Sequence, residues 1–408
     1  MCYAGAVPRF EPFAGLRYDA ARVDLSAVVA PPYDVISPEE RTRLMAQHSA
    51  NAVRVELPEP DYRAGLDRYA GAASQLHRWQ EEGIVVRDQV PALYPYRMTT
   101  GTGRATNGVI GALGIDDESA ASVFLHEETL PKAKSDRLEL LAATRANLSP
   151  VWGLSLTPGL TKAIEPAGPP QAEAVDSDGV RHELWVIEDR DVIAAVSESV
   201  GASAVVLADG HHRYETARTY RRQRLAQRGP GGSDPGADLV MALIVEMTED
   251  QVEVGPIERA LSGLPDGLDL VDACSSWFDL TRVGGFDMRT TGALGASGAL
   301  ALVMASGSWI LSPKDGTPEA AGSPLDSSMV ALVIAELPDH EVEYVNSWAE
   351  GVLAIETGRA QAVMLLRPVT VSQIAEWAVA GHRMPPKTTY FHPKPATGMV
   401  FRTLDGPQ

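Results

Sequence analysis

Residues 205–220 read Val-Val-Leu-Ala-Asp-Gly-His-His-Arg-Tyr-Glu-Thr-Ala-Arg-Thr-Tyr. An apolar run meets a glycine and a helical pattern begins at once, which predicts strand, tight turn and helix in direct succession. Such a turn aims backbone N–H groups and the positive end of the helix dipole at whatever lies above it. Gly210 permits close approach, and Arg213 offers a two-pronged donor for phosphate. His211 and His212 can exchange protons near neutral pH. Asp209 can orient an imidazole or hold a metal ion. The stretch predicts an α/β chain, mixed α+β in detail, with an anion site at a strand-to-helix turn. From Asp209 to Arg224, five Arg stand against two acids. Arg218, Arg221, Arg222 and Arg224 read as a solvated helix face, which leaves Asp209, His211, His212 and Arg213 as the functional residues.

The surrounding composition narrows what that site can serve. The 408 residues are 45% hydrophobic and 22% charged, enough for two or three domains with real cores. A net charge of −19 excludes a surface that coats nucleic acid and disfavours adsorption to an anionic membrane. Two cysteines exclude a disulfide scaffold and any multi-cysteine metal site. No basic-then-apolar leader is visible at the N-terminus, and the longest uncharged stretch, 290–313, is broken by glycines. Cytoplasmic residence follows as the expectation. The expected partner is a small anionic metabolite or nucleotide, with the oligomeric state left open.

Elements of both kinds alternate along the chain. Helices are expected at Pro38–Gln47, Tyr62–Glu82, His212–Gln227, Met329–Leu337, Ala349–Thr357 and Val371–Ala380. Strands are expected at Ile84–Val86, Ala92–Tyr96, Val109–Ile115, Leu184–Ile187, Val205–Leu207, Leu239–Met247 and Ala362–Leu366. The alternation of Val53, Arg54, Val55 and Glu56 also reads as a strand. Pro- and Gly-rich stretches at 157–179, 228–236 and 312–324 punctuate the chain. They suggest regions 1–156, 180–262 and 266–408, packed around one shared cleft.

Three further constellations carry chemistry. His126-Glu127-Glu128-Thr129 follows an apolar strand, and Lys132, Lys134 and Arg137 cluster at the next helix start. Cations at that end of a helix are unfavourable unless an anion joins them. Pro31-Pro32 stiffens the approach to Tyr33 and Asp34, which makes Asp34 a candidate carboxylate base. Residues 381–402 hold four fixed positive charges, two His and no acid, and their prolines forbid a helix. There Lys387, Thr388, Thr389, His392 and Lys394 suit phosphate oxygens.

Together the Pro-Pro-Tyr-Asp-Val-Ile-Ser, His-Glu-Glu-Thr, Asp-Gly-His-His-Arg-Tyr-Glu-Thr-Ala and Met-Pro-Pro-Lys-Thr-Thr-Tyr-Phe-His-Pro-Lys-Pro motifs resemble domain-of-unknown-function family 1015 over nearly the whole chain. One departure is visible: Pro256-Ile257-Glu258-Arg259 stands where that pattern implies Pro-x-His-Arg. The Asp209–Arg213 turn is also similar to the signature turn of the ParB/sulfiredoxin-like superfamily. That group includes free-serine kinases using ADP or pyrophosphate, nucleotide-binding ParB domains and sulfiredoxins. The resemblance implies a phosphate-binding core of that kind with additional α/β regions.

The expected function is a small-molecule phosphotransferase, moving phosphate between a nucleotide or pyrophosphate and a hydroxyl metabolite such as L-serine. ATP, ADP or pyrophosphate would be the donor, with Mg²⁺ on Asp209. Asp34, Glu127, His211 and His212 are the catalytic candidates. Asp209, Gly210, Arg213, His126, Thr129, Lys134, Arg137, Lys387, Thr388, His392 and Lys394 are the phosphate or nucleotide ligands. A ParB-like nucleotide-binding regulator and a metal-dependent phosphohydrolase are the alternatives.

Overall fold

The computed structural model describes residues 7–60, 65–127, 134–229, 234–284, 293 and 299–405. Their contacts divide into two units. One comprises Met1–Glu253, Ala378–Gly381 and Pro393–Gln408; the other comprises Val254–Trp377 and His382–His392. Both are mixed α/β.

The first unit is built on a sheet of nine strands among the described residues. Its order is Val123–Leu125, Val205–Asp209, Val151–Ser155, Leu239–Glu246, Ala105–Gly114, Tyr94–Thr99, Arg181–Leu184 and Ala172–Val175. Phe10–Glu11 pairs beside Ala105–Gly114. The strand Leu239–Glu246 is apolar on both faces, as a central strand must be when both faces are covered. It runs parallel to Val151–Ser155 and antiparallel to Ala105–Gly114. Gly111 leaves room for the Phe10 ring: a Cβ there would lie 2.4 Å from it. The core gathers Val109, Leu113, Val151, Val205, Leu207 and Ile244 with Tyr214 and Ala217 of the helix His211–Arg228.

Capping explains the helix starts. Ser37 accepts from the Glu40 N–H, with Pro38 in the first turn, and the helix runs Pro38–Gln47. Asp67 accepts from the Tyr69 and Ala70 N–H groups, so that helix is Arg68–Glu81 and does not begin at Tyr62. The segment Val53–Glu56 is a single helical turn, not a strand. Asn51 Oδ1 accepts from the Val53 N–H at 3.0 Å and starts the turn. Val53, Val55 and Glu56 are all buried, so the two-residue alternation had no solvent face to report. The strand expected at Leu184–Ile187 lies earlier, at Arg181–Leu184, because pairing across the 176–179 turn sets Arg181 opposite Val175.

The second unit carries an antiparallel sheet ordered Phe278–Gly284, Gly307–Pro313, Ala301–Met304, Ala362–Leu365, Glu258–Ser262 and Glu341–Val345. Helix Asp326–Glu336 buries Met329, Val330 and Val333, and helix Trp348–Glu356 buries Val352, Ala354 and Ile355. Among the described residues, no helix is long and apolar enough to cross a membrane.

Candidate functional site

The strand Val205–Asp209 delivers Asp209 to the edge of the core, and Gly210 turns the chain straight into the 18-residue helix His211–Arg228. Gly210 has φ 81°, and an added Cβ would lie 3.1 Å from the Val151 Cα, so only glycine makes this turn without strain. Its N-cap residue, Gly210, has no side chain with which to cap the helix. A ligand oxygen is therefore a natural cap for its N-terminus.

Asp209 holds two cations. Its Oδ1 accepts from Lys394 Nζ at 2.5 Å and its Oδ2 from Arg213 at 2.8 Å. Burial alone would raise the Asp209 pKa; the charges of Lys394 and Arg213 outweigh it and hold the carboxyl well below its usual range. Arg213 also donates to the Pro150 carbonyl. Its own pKa is raised although burial opposes this, because Asp209, Asp34, Tyr33 and Glu56 lie near it.

His126 and His211 face one another, with ring centroids 4.9 Å apart. His126 is fully buried, and its Nδ1 lies 2.5 Å from the Leu207 carbonyl. Burial pushes both imidazoles below their ordinary pKa, and repulsion from His126 lowers His211 further. His211 Nε2 is shielded from solvent and, among the described residues, has no hydrogen-bond partner. A neutral ring with an idle nitrogen at a helix N-terminus is poised for a ligand group. Glu127 Oε2 stands 3.8 Å from His126 Nε2.

Arg137 is a wall of this region more than a reaching hand. It pairs with Asp136 at 2.6 Å, donates to the Glu56 carbonyl at 2.7 Å and lies over the Tyr33 ring at 4.5 Å. Asp34 sits exposed in the short turn Tyr33–Val35. Lys134 begins the helix Lys134–Thr144, but its side chain lies outside the described residues, as does all of Thr129. The structure thus brings Asp34, His126, Glu127, Asp209, Gly210, His211, His212, Arg213, Arg137 and Lys394 into the first unit. Lys387, Thr388 and His392 belong to the second. There the Lys387 backbone is left-handed (φ 61°), with its carbonyl accepting from Arg259 at 2.9 Å. Thr388 is buried against Ser327 at 2.9 Å, and the His392 ring stacks on Tyr390. Glu258 is buried in this unit and accepts from the Leu366 N–H at 2.6 Å. Burial pushes its carboxyl up to about 8, against the pull of that N–H and of Arg259.

Asp209 does not fit the expected role of metal ligand. Both its oxygens already face cations, and a divalent ion would have to displace Lys394 or Arg213. Among the described residues, no three His, Cys, Asp or Glu side chains are grouped to hold a metal ion.

Two features escaped the sequence. Glu56 is one: it accepts from Ser149 at 3.1 Å and helps to line a small cavity of about 50 Å³ with Arg137, Asn147 and Arg213. Its signal, a lone acid in an apolar run, was absorbed by the strand reading. The other is a buried rail behind Lys394. Asp176 Oδ2 lies 3.0 Å from His182 Nε2, His182 Nδ1 lies 2.7 Å from the Tyr96 hydroxyl, and that hydroxyl accepts from the Ala396 N–H at 3.0 Å. An ionised Asp176 can only accept, which assigns the imidazole proton to Nε2 and makes Tyr96 the donor to Nδ1. Ala396 is two residues from Lys394, and Thr397 exchanges backbone hydrogen bonds with Ala30 at 2.7 and 3.0 Å, next to Pro31-Pro32. The rail therefore seats Lys394. Tyr96→Phe is expected to raise the acetylation rate of Lys394 by up to about tenfold, the worth of one hydrogen bond. The other five lysines serve as internal references in mass-spectrometric footprinting. An unchanged Lys394 rate would show that the rail does not position it.

A family model described as "Protein of unknown function (DUF1015)" matches residues 10–336. No curated protein matches the chain. Among solved structures, a free serine kinase mutant in complex with ADP is similar at 15% identity and TM-score 0.41, over 72% of this chain and 91% of that one. A conserved hypothetical protein from Pyrococcus furiosus is similar at 14% and 0.38, over 73% and 95%. SbnI with C-terminal truncation from Staphylococcus aureus is similar at 11% and 0.38, over 71% and 85%. TM-scores this low carry no functional argument.

Proposed function

Since the chain belongs to the DUF1015 family, which brings no activity with it, we propose from its own residues that it is a small-molecule phosphotransferase. The observation that carries the reading is the cluster at Asp209. Two cations share one buried carboxylate, beside a helix N-terminus whose cap residue is a glycine and an imidazole nitrogen that has no hydrogen-bond partner among the described residues. Phosphoryl transfer asks mainly for positioning and charge neutralisation. In this reading the donor phosphate caps the helix at His211–Arg213, and Lys394 and Arg213 neutralise the moving phosphoryl group. Neutral His211 donates to or accepts from a phosphate oxygen through Nε2. The donor's P–O bond breaks as the metabolite hydroxyl oxygen bonds to phosphorus, and the hydroxyl proton passes to Asp34 or Glu127. Mg²⁺ would arrive on the phosphates of a nucleotide, as that ion usually does. Lys387, Thr388 and His392 are nominated as further phosphate ligands by their motif alone.

The test is turnover. Purified protein is incubated with L-serine, Mg²⁺ and ATP, ADP or pyrophosphate in turn, and phosphoserine is sought by mass spectrometry. Phosphoserine formation is expected with at least one donor, and His211→Ala is expected to slow it by about 100-fold or more, the scale of a lost acid–base or oxyanion group. Absence of any phosphorylated product across a panel of hydroxyl metabolites would overturn the enzyme reading. Nucleotide binding without turnover would instead support the regulatory one.

A further inference from the structure

A second concavity lies in the first unit; it shares Tyr96 with the rail behind Lys394, but none of its lining residues is Asp209, His211, Arg213 or Lys394. It has a volume of about 480 Å³, within the range of small-molecule sites. Its floor comes from strands Tyr94–Thr99 and Ala105–Gly114, and its rim from residues 159–166 and Trp185.

Arg97 is held in readiness there. Its Nε donates to Asn107 Oδ1 at 2.8 Å, and its guanidinium lies over the Trp185 ring at 5.2 Å. Each support is fixed in turn: the Asn107 side chain donates to Gln251 at 3.0 Å, and the Trp185 indole N–H to the Gly168 carbonyl at 3.0 Å. Glu183 stands directly across the strand pair from Arg97, yet among the described residues Arg97 makes no ion pair. In a chain of net charge −19, a half-buried guanidinium braced on two sides and left without a carboxylate is a prepared anion ligand. Lys162 lines the same concavity, and so do Glu165 and Glu246. Glu246 accepts from the Gly159 and Thr161 N–H groups at 2.8 and 2.9 Å, which holds its position and its negative charge.

We propose that this cavity binds a small zwitterionic amino acid with an apolar side chain. Its carboxylate takes the Arg97 fork and Lys162, its ammonium faces Glu165 and Glu246, and its side chain lies against Trp185, Ile164 and Pro166. Charge balance selects this class. Two cations and two carboxylates line the space, so a zwitterion leaves no excess charge, whereas a phosphate dianion leaves two.

Calorimetric titration of the full chain with L-phenylalanine and L-leucine tests the proposal, since neither carries a hydroxyl that could accept phosphate. Binding is expected to weaken by about tenfold or more in Arg97→Met, the scale of a lost charge-assisted contact. Arg97→Lys, which keeps the charge and loses the fork, falls between. The carboxylate without the amine (3-phenylpropionate), the amine without the carboxylate (phenethylamine) and inorganic phosphate are each expected to bind more weakly than phenylalanine. No binding of either amino acid at millimolar concentration, or an undiminished response in a folded Arg97→Met, would overturn the proposal. So would 3-phenylpropionate binding as well as phenylalanine. Phosphate transfer at the Asp209 cluster is read by a different assay on different residues, so either reading can fail alone.

Discussion

Lys394→Met should destabilise the protein by about 3 kcal/mol, the cost of leaving a buried carboxylate short of its partner. It should also abolish detectable binding of pyrophosphate and nucleotides. The reason is the arrangement at Asp209, where Lys394 at 2.5 Å and Arg213 at 2.8 Å divide one carboxylate between them. Removing Lys394 leaves Arg213 committed to Asp209, so one substitution takes away a cation that the donor phosphate would meet. Urea unfolding gives the stability and calorimetry gives the binding. Asp209→Asn separates the two roles. It relieves Lys394 and Arg213 of their partner and costs stability, but it leaves both cations to meet an anion. A stable Lys394→Met protein that still bound pyrophosphate would dismiss the cluster as the phosphate site.

Acid should weaken the first unit well above the pH at which ordinary carboxylates titrate. His126 and His211 have folded-state pKa values lowered chiefly by burial, with their mutual repulsion adding to the shift at His211. The unfolded chain takes up protons on histidine near about pH 6.5, and the folded one takes them up only at lower pH. Below that point the unfolded state binds more protons, so stability falls as pH falls. Two groups give a slope of at most about 2.7 kcal/mol per pH unit. Glu258 acts in the opposite sense, because its raised pKa means the folded carboxyl holds a proton that the unfolded one has lost. Its contribution is present at acid pH and fades as pH rises through about 8. Set against Glu258, the two histidines leave a net slope between pH 6.5 and 5.5 of at most about one proton, about 1.4 kcal/mol per unit. Urea unfolding at pH 7.5, 6.5 and 5.5 measures it. His126→Gln and His211→Gln should each flatten the slope, and Glu258→Gln should steepen it. Stability independent of pH across this window, with all three variants parallel to the parent, would contradict the burial-driven shifts.

Local pattern carried a large part of the fold because the signals were local in their physics. Ser37-Pro38-Glu39-Glu40 starts a helix by capping within four residues, and that helix ran as expected. The apolar run at 239–246 is a strand buried on both faces wherever its neighbours come from. Pattern failed where four residues were asked to choose between periods. Val53–Glu56 satisfies a strand alternation and a helical turn equally, and Asn51, packed by contacts to Ala27 and Val29, made the choice. The candidate site divides the same way. Gly210, flanked by a strand and a helix, fixed its own turn, so the residues at 209–213 were legible together. Glu56, Tyr96 and His182 were not, because each acts through a partner dozens of residues away or more.

Local order along the chain was enough for the mixed α/β class, the strand-turn-helix that presents His211 and Arg213, and the basic islands standing out of an acidic chain. Those depend on residues within a few positions of one another, where steric preference and periodicity act without help. What the charges meet was settled by long-range folding. It placed Lys394 on Asp209 across 185 residues, turned Arg137 inward onto Asp136 and Tyr33, and left Arg97 braced with no carboxylate in ion-pair reach among the described residues. Ion pairing is a property of distance in space and of burial, and neither is written in the order of residues along the chain.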